Sequence, residues 1–224
     1  TAKALYGMGM AIVGVGRDPG KLAALESEIN DPARLATLSV DITDDHAPQA
    51  IVKLALRRFG RIDFLINNAG IGSPKPLHET DDETLDRFLD IMLRAPFRLA
   101  REVITHMQAG SGIVNVTSTF AMIGGKRGGA YSAAKGGLKS LTEHMACEYG
   151  PMGIRSNCVA PGVTMTDMVR HRFADETFKR VNVETTPYPR LAEAQDIASV
   201  IAFLCSKGGE MINGQSIVVD GGWT

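Results

Sequence analysis

The chain has 224 residues, with 24 Lys and Arg against 25 Asp and Glu, a net charge of -1 and 44% hydrophobic residues. Such a balance gives no electrostatic case for nucleic acid or a membrane surface as partner, and the apolar fraction suits a globular domain with a substantial core. No apolar run reaches the ~18 residues of a transmembrane helix, and no secretory signal is visible.

The sequence opens inside a helical stretch, residues 1–6, ended by Gly7. Residues 10–15 are a short apolar run between glycines, a buried strand. Residues 18–29 place Leu22, Leu25 and Ile29 on one helical face. A second strand is expected over 34–40, a helix from about 44 to 59 ended by Gly60, and a third strand over 62–66. Asn67-Asn68-Ala69-Gly70 follows. Residues 80–107 read as one long helix, with Thr80, Asp81 and Asp82 at its start and a kink at Pro96. A fourth strand is expected over 112–118, a helix over 130–149 and a fifth strand over 154–160. Residues 164–190 are polar and irregular. A helix over 192–205 and a strand over 215–219 close the chain. Cys147, Cys158 and Cys205 lie far apart in apolar segments and read as buried free thiols of a reducing compartment, with the cytoplasm as the expected location.

Strands alternate with helices, and the strands are apolar throughout. That pattern specifies an α/β fold, a doubly wound, Rossmann-like parallel sheet with helices on both faces, formed by residues 1–224 as a single domain. Ligands bind such sheets at the carboxyl ends of the strands. One stretch there carries chemistry. Ser118 ends a strand, a Gly-rich connection follows, and Tyr131 and Lys135 stand one helical turn apart. Free Tyr has a pKa of about 10, roughly three units above neutrality and on the order of 4 kcal/mol from it. A neighbouring ammonium stabilises the phenolate, and the Ser118 hydroxyl can hold the oxygen whose proton moves. On spacing alone, a snorkelling surface Lys beside a half-buried Tyr fits as well.

Taken together, Asn67-Asn68-Ala69-Gly70, Ser118 thirteen before Tyr131, Tyr131-Ser-Ala-Ala-Lys135, Asn157, Pro161-Gly162-Val163 with Thr166 and Met168, and the ending Gly214-Gln215 to Asp220-Gly221-Gly222 resemble the short-chain dehydrogenase/reductase family from end to end. The resemblance implies hydride transfer between a nicotinamide and a secondary alcohol or ketone, on a small-molecule substrate, in a homo-oligomer (dimer or tetramer). It implies Tyr131 as general acid/base, Lys135 as its activator and ribose ligand, and Ser118 as binder of the substrate oxygen. Asp41 and Ile42 are then expected at the adenine, Asn67, Ala69 and Gly70 at the adenosine ribose, and Pro161, Gly162, Val163 and Thr166 at the carboxamide end. No metal is expected. Residues 164–190 are expected to form a substrate lid, with 120–123 and 71–76 shaping the pocket for a moderately apolar carbonyl compound. A 3-oxoacyl-type reductase is the subfamily to test first.

Other readings stand beside these. Asn67-Asn68 also fits a plain turn, and Asp41 or Thr166 a helix cap. Arg170, His171, Arg172, Lys179 and Arg180 fit a solvated face or contacts to an acidic substrate or carrier. The chain also departs from the family pattern. The family's opening strand and Gly-rich phosphate turn are expected upstream of Thr1, and without them the neighbouring strands face a gap with unpaired backbone groups. Met92 stands where the family places an Asn that relays protons, a task for which a thioether is unsuited. A fold-retaining binding or regulatory protein with impaired turnover is therefore the alternative. After the first strand stand Gly16 and Arg17, with no carboxylate to repel a 2′-phosphate and a guanidinium to bind it. NADP(H) is the expected cofactor and NAD(H) the other possibility; as a counter-reading, Arg17 is a solvated turn residue and Asp18 a helix cap.

Overall fold

The computed structural model describes residues 1–72 and 74–224, and of residues 167, 168 and 171 the backbone alone. Ser73 and the side chains of Met168 and His171, which figure in the sequence expectations, lie outside the described residues. The elements run α1 (Ala2–Gly7), β1 (Ile12–Gly16), α2 (Pro19–Ile29), β2 (Leu35–Ser39), α3 (Ala47–Phe59), β3 (Phe64–Asn67), α4 (Asp82–Leu89), α5 (Ala95–Ile104), β4 (Gly112–Val116), α6 (Gly129–Tyr149), β5 (Arg155–Pro161), β6 (Thr164–Met165), α7 (Asp167–Arg170), α8 (Glu176–Asn182), β7 (Ala192–Glu193), α9 (Ala194–Leu204) and β8 (Ser216–Val219).

All strand pairs are parallel. β1 pairs with β2, and β3, β4, β5 and β8 form an array in that order. Both faces are covered. Ile113 packs with Val52 of α3, Val103 of α5 and Met145 of α6. Its neighbour Val114 packs with Leu5 of α1 and with Ile197 and Ile201 of α9. Successive residues of β4 thus meet opposite helical layers, which is why its apolar run does not alternate. No described helix is long and apolar enough to cross a membrane.

The expected gap is present. β1 and β3 are not hydrogen-bonded to each other. Between them lies a cleft of about 830 Å³, lined by Ile12 to Val15 on one side and Phe64 to Asn67 on the other.

Two helix boundaries and one burial differ from expectation for identifiable reasons. The expected 80–107 helix is α4 and α5 joined by a π turn, Asp90–Arg94, starting from an Asp81 cap whose carboxylate accepts the Thr84 N–H. Pro96 has no N–H for the Met92 carbonyl. The ladder re-registers before it, and the Ala95 N–H reaches back to the Asp90 carbonyl. α3 starts at Ala47, because the Asp41 carboxylate takes the Thr43 N–H and hydroxyl and closes a turn first. Cys147 is exposed, unlike Cys158 and Cys205. Half a helical rotation separates it from the face of α6 that buries Leu138, Thr142 and Met145.

A buried polar chain crosses the sheet under the site. The Asn67 amide donates to Asn115 Oδ1 at 2.8 Å, and the Asn115 amide donates to Thr142 Oγ1 at 2.8 Å. Thr142 in turn donates to the Leu138 carbonyl at 2.7 Å. Asn115 is 0% exposed and Thr142 1%, so each partner depends on the others for its hydrogen bonds. Replacing Asn115→Ala strands two of them in an apolar setting. Urea denaturation should show a loss of about 2–4 kcal/mol, and Thr142→Val a smaller one.

Candidate active site

Ser118 lies just beyond the carboxyl end of β4, buried, with extended backbone. Its hydroxyl accepts the Phe120 N–H at 3.2 Å and so starts a short 3-10 turn, Thr119–Ala121. Tyr131 and Lys135 project from the first two turns of α6. Gly137 lets the same helix approach the π turn: a Cβ there would lie 2.9 Å from Leu93 Cδ2.

Lys135 is 3% exposed, and its Nζ donates to the Val116 carbonyl at 2.7 Å. Burial pushes this ammonium down to about 8. The Tyr131 ring stands in an apolar cluster with Phe88, Ile91, Met92 and Ala134, against which Ile42 and Ile71 also pack. Burial pushes its phenol up, and the neighbouring Ser118 hydroxyl works against that rise. The Lys135 Nζ lies 6.0 Å from the Tyr131 ring centroid. In this state, then, the ammonium is engaged by the strand and not by the phenol, and the sequence-level picture of a direct Tyr–Lys pair needs that adjustment.

Phe120 is the hub of the site's outer wall. Its ring stands edge-on to Tyr131 at 6.4 Å between centroids, and 6.2 Å from the Trp223 ring. A Cβ on Gly125 would meet Phe120 Cζ at 2.6 Å, so the Gly-rich connection owes at least this glycine to the ring it wraps.

The structure brings Ser118, Tyr131 and Lys135 together and places Gly70 beside them. A Cβ on Gly70 would sit 3.7 Å from Lys135 Nζ and 3.6 Å from Met92 Sδ. This open cradle next to a buried cation fits close approach of a ribose-bearing cofactor. Asn67 is brought near but spends its amide on Asn115, leaving its backbone at the cleft it lines with Ala69. Pro161 ends β5, and a Cβ on Gly162 would lie 2.6 Å from Asp220 Cβ; Val163 follows. The Thr166 carbonyl accepts from Val169 and Arg170 at the start of the next turn. Arg17 and Asp41 meet at 3.3 Å at the far end, across the ends of β1 and β2. Asp18 caps α2, accepting from Gly20 and Lys21. In the basic cluster, Arg172 lies 4.3 Å over the Phe178 ring and Lys179 pairs with Glu176 at 2.6 Å. Asn115, Thr142 and Trp223 were not singled out from sequence. Asn115 and Thr142 did leave a signal, as polar residues at positions whose periodic neighbours are apolar.

A family profile described as enoyl-(acyl carrier protein) reductase matches residues 1–224. The chain belongs to the short-chain dehydrogenase/reductase family. It is 36% identical over 222 residues to an A-factor type gamma-butyrolactone 1'-reductase (1S-forming) of Streptomyces virginiae, a match covering 96% of this chain and 86% of that protein. The solved 3-ketoacyl-(acyl-carrier-protein) reductase of Brucella melitensis, complexed with NADH, superposes with a TM-score of 0.89 at 31% identity, covering 99% of this chain and 91% of that one. A gluconate 5-dehydrogenase of Burkholderia cenocepacia, in complex with NADP and tartrate, gives a TM-score of 0.90 at 28% identity, covering 99% and 88%. As a short-chain dehydrogenase/reductase, this protein is an NAD(P)-dependent oxidoreductase of secondary alcohols and ketones.

The buried lysine sets a pH signature. Between about 8 and the ordinary value of 10.5, the unfolded chain holds a proton that the folded chain has released. Stability therefore rises with pH across that window, and below it the cost of burying the charge is present in full. Denaturation midpoints at the two ends of the window should show wild type gaining stability with pH relative to Lys135→Met. Parallel profiles would contradict the assignment.

Proposed function

We propose that Tyr131 donates the proton in ketone reduction and accepts it in alcohol oxidation, with Ser118 binding the substrate oxygen. The observation that carries this is the convergence of all three groups at one strand end: Ser118 beyond β4, Lys135 bonded to Val116 of the same strand, and Tyr131 one turn before it on α6. The cofactor, when bound, supplies the hydride. Lys135 would hold the nicotinamide ribose with its remaining N–H donors, and its charge favours the phenolate that remains after proton transfer. Ala69, Gly70 and the backbone of Asn67 line the adenosine side with Asp41 and Ile42, and Pro161, Gly162, Val163 and Thr166 the carboxamide side. Residues 1–224 act as a single domain, with 164–190 as its lid. Tyr131→Phe keeps the ring packing and loses the proton. Cofactor oxidation on a ketone panel, including a 3-oxoacyl thioester, should fall at least about 100-fold; retained activity would sink the role.

NADP(H) is the preferred cofactor in this reading. Arg17 is 59% exposed in its side chain and its pairing with Asp41 is long. Such a pair is weak, so a 2′-phosphate can take the guanidinium over. Arg17→Ser should lower the NADPH-to-NADH ratio of kcat/KM about ten-fold, and an unchanged ratio would remove Arg17 from cofactor selection.

Two further statements belong to this reading. The exposed Phe97 on α5 and Val218 on the edge strand β8 support a homo-oligomer built through these elements. The free thiols support a reducing, cytoplasmic setting. One observation favours a second reading, a binding protein with impaired turnover. Met92, 0% exposed in the π turn beside Gly70, offers no proton donor there. Cofactor binding without turnover of any ketone would select it.

A further inference from the structure

The residues after β8 fold back over the site. The Asp220 carboxylate accepts the N–H of Gly222 and both the N–H and the hydroxyl of Thr224, each at 2.8 Å. Gly221 and Gly222 have φ of +70° and +84°, where a side chain is strained. A Cβ on Gly221 would also meet Thr186 Cγ2 at 2.9 Å and Tyr188 Cβ at 3.0 Å. The Tyr188 N–H donates to the Gly221 carbonyl at 3.0 Å. The turn thus lays the tail along the stretch that follows α8.

Trp223 completes the contact. Its Nε1–H donates to the Val181 carbonyl at 3.1 Å and to Thr185 Oγ1 at 3.0 Å, while Thr185 donates to that same Val181 carbonyl at 2.6 Å. The other side of the indole faces Phe120, 6.2 Å away between centroids, and Phe120 stands against Tyr131. Phe178 is the one fully buried residue of α8. The aromatic and guanidinium neighbours of its ring, Phe173 and Arg172, belong to the same segment. That packing ties α8 to the turn before it. Trp223 ties it to the ring beside the reacting phenol.

We propose that Trp223 is a latch. It holds residues 175–186 against the Phe120 side of the site and, by bracing Phe120, keeps an aromatic wall against which a cyclic, apolar ketone lies next to Tyr131. Trp223 is a positioning residue that acts through Phe120. This rests on the ketoreductase reading above.

Wild type is compared with Trp223→Phe, Trp223→Ala and Thr185→Val. A phenyl ring cannot donate to Val181 or Thr185, and Thr185→Val removes one of the two acceptors. Trypsin cutting after Lys179 and Arg180 should nick both Trp223 variants at least about three-fold faster than wild type, with Thr185→Val in between and Tm little changed. Nicking at the wild-type rate in Trp223→Phe and Thr185→Val would overturn the latch. On cyclohexanone, Trp223→Ala should raise KM about ten-fold with kcat within about two-fold, and Trp223→Phe should recover most of that loss. KM for hydroxyacetone, which has no ring to lay against the wall, should stay within about two-fold. Equal KM changes for both ketones would overturn the wall. Should wild type turn over neither these nor any other ketone of the panel, the ketoreductase reading fails, and the nicking comparison still decides the latch.

Discussion

A buried ammonium held by one strand carbonyl is the constraint on which the site depends. Lys135 is nearly inaccessible and reaches Val116 at 2.7 Å. Burying that charge is costly, and the bond is worth most when α6 sits at one distance from β4. The polar chain from Asn67 through Asn115 to Thr142 enforces the same spacing two helical turns further along. Helix and strand are thereby pinned at two points, one wholly structural and one that also presents a cation. Everything the site does with protons follows from that registration, because Tyr131 lies one turn before Lys135 and Ser118 two residues beyond Val116.

The environment of the phenol separates two effects that sequence reasoning had merged. Burial among Phe88, Ile91 and Met92 raises the Tyr131 pKa, while Lys135 directs its bond elsewhere. The electrostatic help of the lysine therefore acts through space, with its Nζ 6.0 Å from the Tyr131 ring centroid, and not through a direct hydrogen bond. A low-dielectric phenol keeps its proton until a charge appears on the substrate oxygen. That suits a proton donor whose transfer follows the hydride.

Much of this was legible in the sequence. Apolar runs read as strands because both faces of the sheet are covered, and spacing alone put Tyr131 and Lys135 on one helical face. The failures were local. Pro96 looked like a kink, but the chain re-registered into a π turn because the orphaned Met92 carbonyl lay within a continuing helix. Asp41 looked like a helix start, but its carboxylate closed a turn with Thr43 first. Cys147 was grouped with the buried thiols because its neighbours are apolar, although helical rotation turns it outward. Long-range partners stayed out of reach. Nothing local says that Asn115 meets Thr142, 27 residues on, or that Trp223 meets Val181 across 42. The gap between β1 and β3, by contrast, was foreseeable from the family resemblance, whose opening strand is expected upstream of Thr1.

The most direct test of the account is isotope transfer. With reduced nicotinamide cofactor deuterated at both hydrogens of the reactive ring carbon and a ketone in ordinary water, the alcohol product should carry one deuterium on the carbinol carbon. Run in D₂O with unlabelled cofactor, the isolated alcohol should carry none on the carbinol carbon, because the proton handled by Tyr131 goes to oxygen and exchanges. Deuterium reaching the carbinol carbon from solvent, or failing to reach it from the cofactor, would contradict the assignment of hydride to the nicotinamide and proton to the Ser118–Tyr131–Lys135 cluster.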